Sequence, residues 1–550
     1  MKDVIGDLKE LVDSYAFSDI IKNPPSPYED IKVNISTEFD KIISDGERPF
    51  YDFYRDIKRI LSYLRDSVLD IKGGKIPLIN SDQLINFEDY IFCLPFIFYL
   101  DYEEGQEVKM YIKEYTNCSK FYDEEIKKEI KNKENIALDK INDIDAFEYI
   151  QKFGEEFYKF KNPDSYFWFI LNNIHYNNLL SFPLLPKELN SINLTFSDNK
   201  NLNTHFYLIK GESIIKNNNK KYAINLKKND IKQKIKNLRR NKNNKDEIIW
   251  DYKSEDGLVK CRTDNKNKLN VLLIKSFNAD PDIIIQCALS FYSNDYKIVI
   301  INSQNMEADI SILYLFTQLL LPKHDIKFNF AMKQTKLNKL NFEGNPHKFL
   351  NSKTCLPFEN WESFLEPSPD DYGDGVKHYR TKIYNPISKS LIENLRNLRE
   401  NLLYNYNKKP TDILIFTDSV SYGSSSNFFK TLQNYGGAIT ASFGGNPRLN
   451  KDEISTLDAS LDSCDIVTYK SEQLNSNLEE NAFIFIDLPF GETFENIEGD
   501  KIPNSFKVNK VDEVTNIYHS FDDIYYDEFI ESAKKIFNKY NNECNKNNLN

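Results

Sequence analysis

The stretch from Asp412 to Arg448 constrains the fold of this chain more than any other. It begins with an apolar, β-branched run, Ile413 to Phe416, which has the length and composition of a buried strand. A turn rich in serine and glycine follows, from Ser419 to Ser426, and leads into a helical pattern that ends at Gly436–Gly437. A second apolar run, Ala438 to Phe443, predicts another strand. A tight turn between a strand and a helix can present a hydroxyl nucleophile beside backbone N–H donors, which makes this turn the candidate position for catalytic chemistry.

Strand and helix patterns alternate around that stretch, from Leu269 onward. Such alternation predicts an α/β core with a largely parallel sheet. A polar connection is expected between its two halves, over residues 336–384. The other strands are expected at 271–277, 297–302, 326–331 and 482–488, and the helices at 282–292, 308–321, 387 to about 406 and 525–540.

The first half of the chain has a different pattern. Residues 1 to about 75 are predicted to be helical, with the strongest periodicity over Phe50–Leu69, and short β-like runs follow between Phe87 and Lys113. Residues 208–248 form a Lys/Asn-rich insert, which is expected to be flexible and solvated. A nucleic-acid patch is the alternative, but Tyr222 is the one aromatic residue of the insert, and interleaved aromatics are typical of such patches.

Length and charge narrow the classes of protein that this chain can belong to. With 550 residues, 40% hydrophobic and 14% aromatic, it is globular and too long for a single core, so two or three domains are expected. A net charge of −12 disfavours general binding to nucleic acid or anionic membranes. The apolar run Tyr90–Leu100 is too short for a membrane span. The N-terminus shows no signal peptide, so a cytoplasmic location is expected, with secretion as the alternative if the N-terminus is incomplete.

The cysteines and histidines show no metal-ligand spacing, so neither a metal nor another cofactor is expected. An odd, scattered set of cysteines favours buried free thiols over a disulfide framework. The seven cysteines are at positions 93, 118, 261, 287, 355, 464 and 544.

Four stretches, in chain order, resemble the tail-specific (C-terminal-processing) serine proteases. Residues 53–71, FYRDIKRILSYLRDSVLDI, resemble the N-terminal helix and histidine loop of that family. Residues 134–154, ENIALDKINDIDAFEYIQKFG, resemble its PDZ-like module, with a strand, a polar turn and a helix from Ile144. Residues 297–316, KIVIINSQNMEADISILYLF, resemble a core strand and turn, and residues 416–448 resemble the strand, turn and helix that carry the nucleophile.

This resemblance implies an α/β fold with a crotonase-like (ClpP-like) β/α core, an N-terminal helical region and a PDZ-like module. The implied boundaries are 1–78 for the helical region, 79–260 for the PDZ-like module with its insert at about 208–248, 265–541 for the core, and 542–550 for a disordered tail.

The implied nucleophile position is where the chain departs from the family. The helix end LQNYGGA sets the register and places that position at Gly423, which has no side chain and cannot form an acyl-enzyme. A shift of one residue would present Ser424 instead. The alternative role of the neighbouring serines, Ser424 to Ser426, is to cap the N-terminus of the following helix.

The implied base and oxyanion positions depart from the family as well. The family histidine falls at Val68, and the lysine of the lysine-dependent branch falls near Arg448; neither residue can act as a general base. In the oxyanion region, Asn305, Met306 and Glu307 replace the glycines whose N–H groups would face the anion. None of the six histidines lies in a matching motif.

These departures predict an inactive homologue, a pseudopeptidase that binds extended peptides or proteins. The alternative is an active serine endopeptidase with Ser424 as a displaced nucleophile, and a third hypothesis is an interaction protein whose groove has closed. The expected partner is a peptide or protein, without nucleic acid, membrane span or cofactor. The sequence leaves the oligomeric state open.

Overall fold

The computed structural model describes residues 2–44, 46, 50–66, 69–72, 75–77, 84–86, 90–102, 106–157, 160–178, 191–210, 248–277, 281–305, 310–324, 326–369, 377–403, 408–418, 420–450, 459, 461, 464–470, 485–494 and 502–547. Most of the Lys/Asn-rich insert predicted at 208–248 lies outside these residues.

The helices of the described chain are α1 (Lys2–Asp13), α2 (Ile35–Ser44), α3 (Phe50–Ser62), α4 (Glu124–Lys133), α5 (Ala146–Phe157), α6 (Pro163–Asn173), α7 (Pro281–Tyr292), α8 (Ile310–Leu320), α9 (Lys336–Gly344), α10 (Trp361–Phe364), α11 (Lys389–Leu403), α12 (Ser424–Asn434) and α13 (Tyr526–Asn547).

Its strands are β1 (Asp70–Lys72), β2 (Lys75–Pro77), β3 (Leu84–Asn86), β4 (Tyr90–Cys93), β5 (Phe96–Asp101), β6 (Lys109–Glu114), β7 (Leu138–Ile141), β8 (Ile144–Asp145), β9 (Tyr176–Asn178), β10 (Ile192–Phe196), β11 (Asn201–Thr204), β12 (Tyr207–Lys210), β13 (Tyr252–Lys253), β14 (Val259–Asp264), β15 (Leu269–Ile274), β16 (Lys297–Asn302), β17 (Asn329–Met332), β18 (Leu350–Asn351), β19 (Tyr384–Asn385), β20 (Ile413–Thr417), β21 (Ile439–Ser442), β22 (Cys464–Lys470), β23 (Phe485–Phe494) and β24 (Glu513–Val514).

The chain forms two compact units. Unit 1 comprises Met1–Gly73, Ile150–Ile170 and Trp250–Asn550, and unit 2 comprises Gly74–Tyr149 and Leu171–Ile249. The N-terminal helices, which the sequence set apart as residues 1–78, therefore belong to the same unit as the α/β core. One contact that joins them is a backbone hydrogen bond of 3.2 Å from Ala16 N to Pro489 O.

Unit 1 contains a seven-stranded sheet in the order β13-β14-β15-β16-β20-β21-β24. Neighbours from β15 to β24 are parallel, and β13, β14 and β15 pair antiparallel at one edge. All residues of β15, β20 and β21 are buried, as expected of parallel strands that are covered on both faces. Ring contacts among Phe277, Phe316 and Phe428 pack α8 and α12 on this sheet. The predicted α/β core with a largely parallel sheet is confirmed.

A second sheet of unit 1 has the order β1-β23-β17-β19-β18, with β22 also paired to β23. The region predicted as a polar connection, 336–384, contributes α9, α10, β18 and β19 to this part of unit 1. It folds because its aromatic residues pack together: the ring of Phe364 contacts Phe342, Phe349 and Tyr384. Scattered aromatic residues without a period gave no helix or strand signal in the sequence.

Two predicted helix ends differ in the structure. Helix α3 ends at Ser62 rather than Leu69, and Arg65 then adopts a φ of 51°, which a right-handed helix cannot include. Helix α13 continues to Asn547, into the tail that was expected to be disordered from residue 542. Among the described residues, no helix combines the length and hydrophobicity that crossing a bilayer requires.

Unit 2 is built from small antiparallel sheets, including β11-β10-β7-β8. The hairpin between β7 and β8 turns through Asn142 and Asp143, whose φ values of 50° and 64° suit a two-residue turn of this kind. Ile144 belongs to β8 and helix α5 begins at Ala146, two residues later than predicted. The other sheets of unit 2 are β12-β4-β9, β5-β6 and β2-β3.

The cysteines correct the expectation of buried free thiols. Cys93 pairs with Cys118 in unit 2, and Cys261 pairs with Cys287 in unit 1, while Cys355 is free. The Cα atoms of Cys261 and Cys287 are 5.9 Å apart although 26 residues separate them in sequence. Because α7 packs beside β14, the fold brings together two residues that sequence spacing could not pair.

Candidate functional site

The candidate site lies at the carboxyl ends of the parallel strands β16, β20 and β21 in unit 1. Ligand sites of open α/β sheets form at this edge, because the loops that follow parallel strands meet there. The described residues of the three loops are 303–305 after β16, 418 and 420–423 after β20, and 443–446 after β21.

The loops after β16 and β20 are joined by side-chain hydrogen bonds. Asn302 Nδ2 donates to Ser421 Oγ over 2.5 Å, and both residues are fully buried. Gln304 N donates to Asp418 Oδ2 over 2.7 Å, and Val420 N donates to the other oxygen of the same carboxylate over 3.3 Å. The Asp418 carboxylate therefore fixes the backbone of both loops at once.

Burial raises the pKa of Asp418 from 3.8 to about 6. The hydrogen bonds from Gln304 N–H and Val420 N–H, together with the nearby Trp168 indole, favour the carboxylate and limit the rise. Lys275, which follows β15 at the same edge, has a pKa lowered first by burial and then by nearby Lys260.

Gly423 occupies the residue before α12, at the position implied for the nucleophile. Its φ of 62° and ψ of −134° are values that glycine adopts readily and that strain other residues. It makes no side-chain cap, and the helix begins at Ser424, whose side chain lies outside the description.

The expectation that the serines cap α12 is wrong for the two whose side chains are described. Ser426 Oγ donates to Gly423 O over 3.2 Å. Ser425 is fully buried, and its Oγ has no hydrogen-bond partner among the described residues. The cap position falls on Gly423, so the serines stand inside the first turn of the helix, after the place from which a side chain can cap it.

The loop after β21 depends on two glycines that approach α6. A Cβ atom on Gly444 would lie 2.6 Å from the Trp168 ring, and one on Gly445 would lie 2.7 Å from the Asp164 carboxyl carbon. Asp164 Oδ1 accepts a hydrogen bond of 3.0 Å from Asn446 N. The glycine-rich sequence GGNP thus allows α6 to pack on the edge of the sheet.

Two of the predicted base positions offer no base to this site. Arg448 is exposed, and its backbone N–H donates to Asn446 Oδ1 over 3.0 Å. Val68 lies outside the described residues. Arg65, three residues earlier, lies near the turn through the segment that contains Ala459 and Leu461: Leu461 N donates to Arg65 O over 2.8 Å, and Ala459 N donates to Ser421 O in the turn over 2.9 Å.

Asp66, the acidic residue of the implied histidine loop, is fully buried and accepts a hydrogen bond of 2.8 Å from Tyr15 Oη. Burial and the adjacent Asp66 carboxylate raise the pKa of Tyr15 well above its usual value. A tyrosine in this environment holds its proton, so its role is to support the carboxylate.

The predicted oxyanion region is described at Asn305 alone, since Met306 and Glu307 lie outside the description. Asn305 is fully buried, and neither its Nδ2 nor its Oδ1 has a partner among the described residues. Asn302 Oδ1, at the end of β16, is likewise buried and without a partner there. The edge of the sheet therefore carries amide groups whose hydrogen-bonding capacity the described protein does not use.

One histidine lies close to this edge. His519 Nε2 is 2.8 Å from Glu528 Oε2, its Nδ1 is 3.4 Å from Ser520 O, and Ser520 Oγ accepts from Gln304 Nε2 over 3.4 Å. Both ring nitrogens thus face oxygen atoms already, which leaves neither positioned to take a proton from a nucleophile. His175, in unit 2, is buried, and burial lowers its pKa to about 3.

Sequence patterns located the turn but not the residues that organise it. Asp418, Asn302 and Ser421 carry the hydrogen bonds. Asn302 ends β16 and Asp418 directly follows β20, which is the one signal that could have selected these two, whereas Ser421 lies four residues beyond the end of β20. Trp168 had no such signal, because α6 is brought to the sheet by the fold. Among the described residues, no group of three or more His, Cys, Asp or Glu side chains could hold a metal ion.

No protein-family model matches this sequence, and no curated protein matches it significantly. Solved structures do match. The chain is similar to mature CPAF in complex with lactacystin, at 11% identity and a TM-score of 0.50, covering 98% of this chain and 97% of that one. A second structure of mature CPAF gives 11% identity and a TM-score of 0.50, covering 98% and 96%. The photosystem II D1 C-terminal processing protease gives 6% identity and a TM-score of 0.30 over 94% and 93%, a score too low to support an argument.

The likeness to CPAF, a tail-specific protease, extends over nearly the whole described fold. The predicted resemblance to tail-specific proteases is therefore confirmed, at the level of the fold. At 11% identity the likeness shows the fold alone, so activity has to be argued from the site.

Proposed function

We propose that this chain binds extended peptides or protein segments on a tail-specific-protease-like fold and does not hydrolyse them. The observation that carries the proposal is Gly423. It stands at the strand-to-helix turn where the family resemblance implies the nucleophile, and it has no side chain.

The backbone at Gly423 supports this reading. In other hydrolase folds a sharp, strained turn between strand and helix exposes the nucleophile. Here the turn has φ 62° and ψ −134°, and glycine occupies it with the least strain. The scaffold of such a turn is thus kept while the reactive group is absent. Both oxygens of the Asp418 carboxylate are engaged in holding the loops together, which leaves neither free to take a substrate proton.

Peptide binding needs none of the missing groups. We assign the parallel sheet of unit 1 to a crotonase-like core and the β7–β8 hairpin with its four-stranded sheet to a PDZ-like module. Modules of that kind bind an extended peptide by adding it as a strand to a sheet edge, where main-chain hydrogen bonds supply the affinity.

A fluorophosphonate probe tests the absence of hydrolysis. We expect the full-length protein to remain unlabelled under conditions that label trypsin completely. Labelling that disappears in Ser424→Ala but persists in Ser36→Ala, an exposed serine of α2, would establish the alternative of an active peptidase with Ser424 as its displaced nucleophile.

Fluorescence anisotropy tests peptide binding. The probe is a mixture of N-terminally labelled random decapeptides, titrated with the full-length protein. We expect saturable binding without any change in peptide mass over a day. A complete lack of binding at 100-fold excess of protein would instead support an interaction protein with a closed groove.

The two disulfides favour the secreted alternative for localisation, because disulfides persist in oxidising compartments. Alkylation of protein taken from its native cells without reductant, followed by mass spectrometry, tests this. We expect Cys261 and Cys287 to be recovered as a linked pair; recovery of both as alkylated thiols would favour the cytoplasm.

A further inference from the structure

A cavity in unit 1 lies between helix α12 and the paired strands β17 and β23. Its walls are one face of α12, the first residues of β17 with the two residues before that strand, and the end of β23 with Asn504. The cavity has a volume of about 30 Å³. Since one water molecule needs about 10–15 Å³, the interior has room for about two, or for a chemical group of similar size.

The geometry of the elements brings these walls together. Strands β17 and β23 pair antiparallel with Phe330 opposite Thr493, and residues paired in this way point to the same face of a sheet. On α12, the lining residues Asn427, Lys430 and Asn434 are three and four positions apart, so they share one face of the helix. The cavity is therefore a product of regular elements and not of a surface loop.

Positive charge is the main electrostatic feature of this cavity. Among the described residues that line it, two are lysines and none is acidic. Lys430 is buried, and its Nζ donates to Asn504 O over 3.3 Å, which holds the ammonium group beside one wall. Lys327 is exposed, so the cavity opens to solvent on the side of that residue. Two positive charges at one cavity, without an acidic residue in its walls, attract an anion.

Thr493 adds a hydrogen-bond donor to the lining. The residue is buried, and its hydroxyl has no hydrogen-bond partner among the described residues. The hydroxyl of Thr431, which also lines the cavity, is already used, because it donates to Asn427 O over 2.6 Å. Burying a hydroxyl without a partner is unfavourable, so a ligand that accepts from Thr493 would remove this penalty.

One local charge opposes an anion. The last turn of α12 lines the cavity through Asn434, and the carboxyl end of a helix carries about half a negative charge. Tyr435 N donates to Thr431 O over 2.9 Å, which satisfies part of that end. The lysines carry one full positive charge each, so the balance at the walls is positive.

We propose that this cavity binds a compact anionic group of the size of a carboxylate, with Lys430 and Lys327 as counter-charges and Thr493 as hydrogen-bond donor. Its volume suits the two oxygen atoms of a carboxylate and is too small for a sugar or a nucleotide. Such a group can come from a free small acid or from an acidic side chain of a bound peptide. The inference goes beyond the proposed function, because the cavity takes its walls from the side of α12 and not from the turn at Gly423.

The test uses formate, the smallest carboxylate, with the full-length protein. Carbon-13-labelled formate should show saturable line broadening in NMR spectra. Lys430→Gln should weaken binding by at least about tenfold, as for loss of a charge-assisted hydrogen bond, and Lys327→Gln by about twofold to fivefold, because an exposed charge is screened by solvent. Lys348→Gln is the matched control: it removes an exposed lysine of unit 1 that does not line the cavity and should leave formate binding unchanged.

Thr493→Val separates binding from folding, because valine keeps the shape of threonine and removes the hydroxyl. We expect this variant to bind formate more weakly, while the urea midpoint of the free protein does not fall, since the hydroxyl has no described partner to lose. A lowered midpoint would show that the hydroxyl is structural and would count against its role as a donor to the ligand. If Lys430→Gln fails to fold, Lys327→Gln and Thr493→Val still decide the question.

A competition experiment distinguishes the two sources of the anionic group. Displacement of formate by N-acetyl-glutamate amide, but not by the matching glutamine compound, would identify an acidic side chain as the ligand; displacement by neither would identify a free small acid. Formate broadening that does not saturate, or that is the same in the parent and in all three cavity variants, would overturn the inference and leave the proposed function untouched.

Discussion

Replacing Asp418 with asparagine should make the stability of unit 1 less dependent on pH. Burial raises the pKa of this carboxyl group from 3.8 to about 6, so the native state holds the proton more tightly than the unfolded chain does. Its contribution to stability is therefore complete below pH ~4, falls as the pH rises, and is lost above pH ~6. A difference of about two pKa units corresponds to about 3 kcal/mol between these limits.

Asparagine has a similar shape and does not titrate, so Asp418→Asn removes this loss. It also replaces one acceptor oxygen by an NH₂ group, which costs about 1 kcal/mol at every pH because either Gln304 N–H or Val420 N–H loses its acceptor. We therefore expect the variant to be about as stable as the parent at pH 4.5 and about 2 kcal/mol more stable at pH 7.5.

Urea unfolding followed by tryptophan fluorescence measures this difference. The three tryptophans, at 168, 250 and 361, all belong to unit 1, so the signal reports that unit. Asp264→Asn is the matched control, because the pKa of Asp264 is shifted in the opposite direction to that of Asp418. Burial alone would raise the pKa of Asp264, but hydrogen bonds from Asn267 and Tyr526 outweigh burial and lower this pKa. Because the pKa of Asp264 is 3.8 when unfolded and lower when folded, this group is ionised in both states across the tested range, and the free-energy difference between the parent and this control should stay constant from pH 4.5 to 7.5. A free-energy difference between Asp418→Asn and the parent that stays constant from pH 4.5 to 7.5 would refute the reasoning.

Three further substitutions and one control substitution test the packing of unit 1, each by urea unfolding. Gly444→Ala should destabilise the protein by about 2 kcal/mol or more, because the φ of Gly444 is 75° and the new Cβ would lie 2.6 Å from the indole of Trp168 in α6. The control is Gly6→Ala in α1, where a Cβ would meet nothing within 4 Å; this substitution should stabilise the protein by up to about 1 kcal/mol. Cys261→Ser should cost about 3.5 kcal/mol by releasing the 26-residue link to Cys287, and reductant should then have no further effect on that link. Tyr15→Phe should cost about 1–3 kcal/mol by removing its hydrogen bond to a buried carboxylate; an unchanged midpoint would show that this bond is not needed.

The site shows how far sequence patterns reach. The run Ile413–Phe416, the glycine at position 423 and the glycine-rich end after β21 identified a turn between buried parallel strands, because strand composition and glycine positions are local properties. The same patterns could not show that Ser425 would lack a partner, since hydrogen bonding of a buried hydroxyl depends on every element around it.

The sequence by itself determined that this chain has an α/β core whose central turn carries glycine where a nucleophile is implied. Periodicity, β-branched runs and glycine are read along the chain, and they do not require contacts between distant residues. Only the tertiary structure decided that Asp418 joins two loops, that Trp168 packs on Gly444, and that Cys261 meets Cys287. Burial, pKa and pairing arise from groups far apart in sequence, so they exist only once the sheet and its helices are assembled.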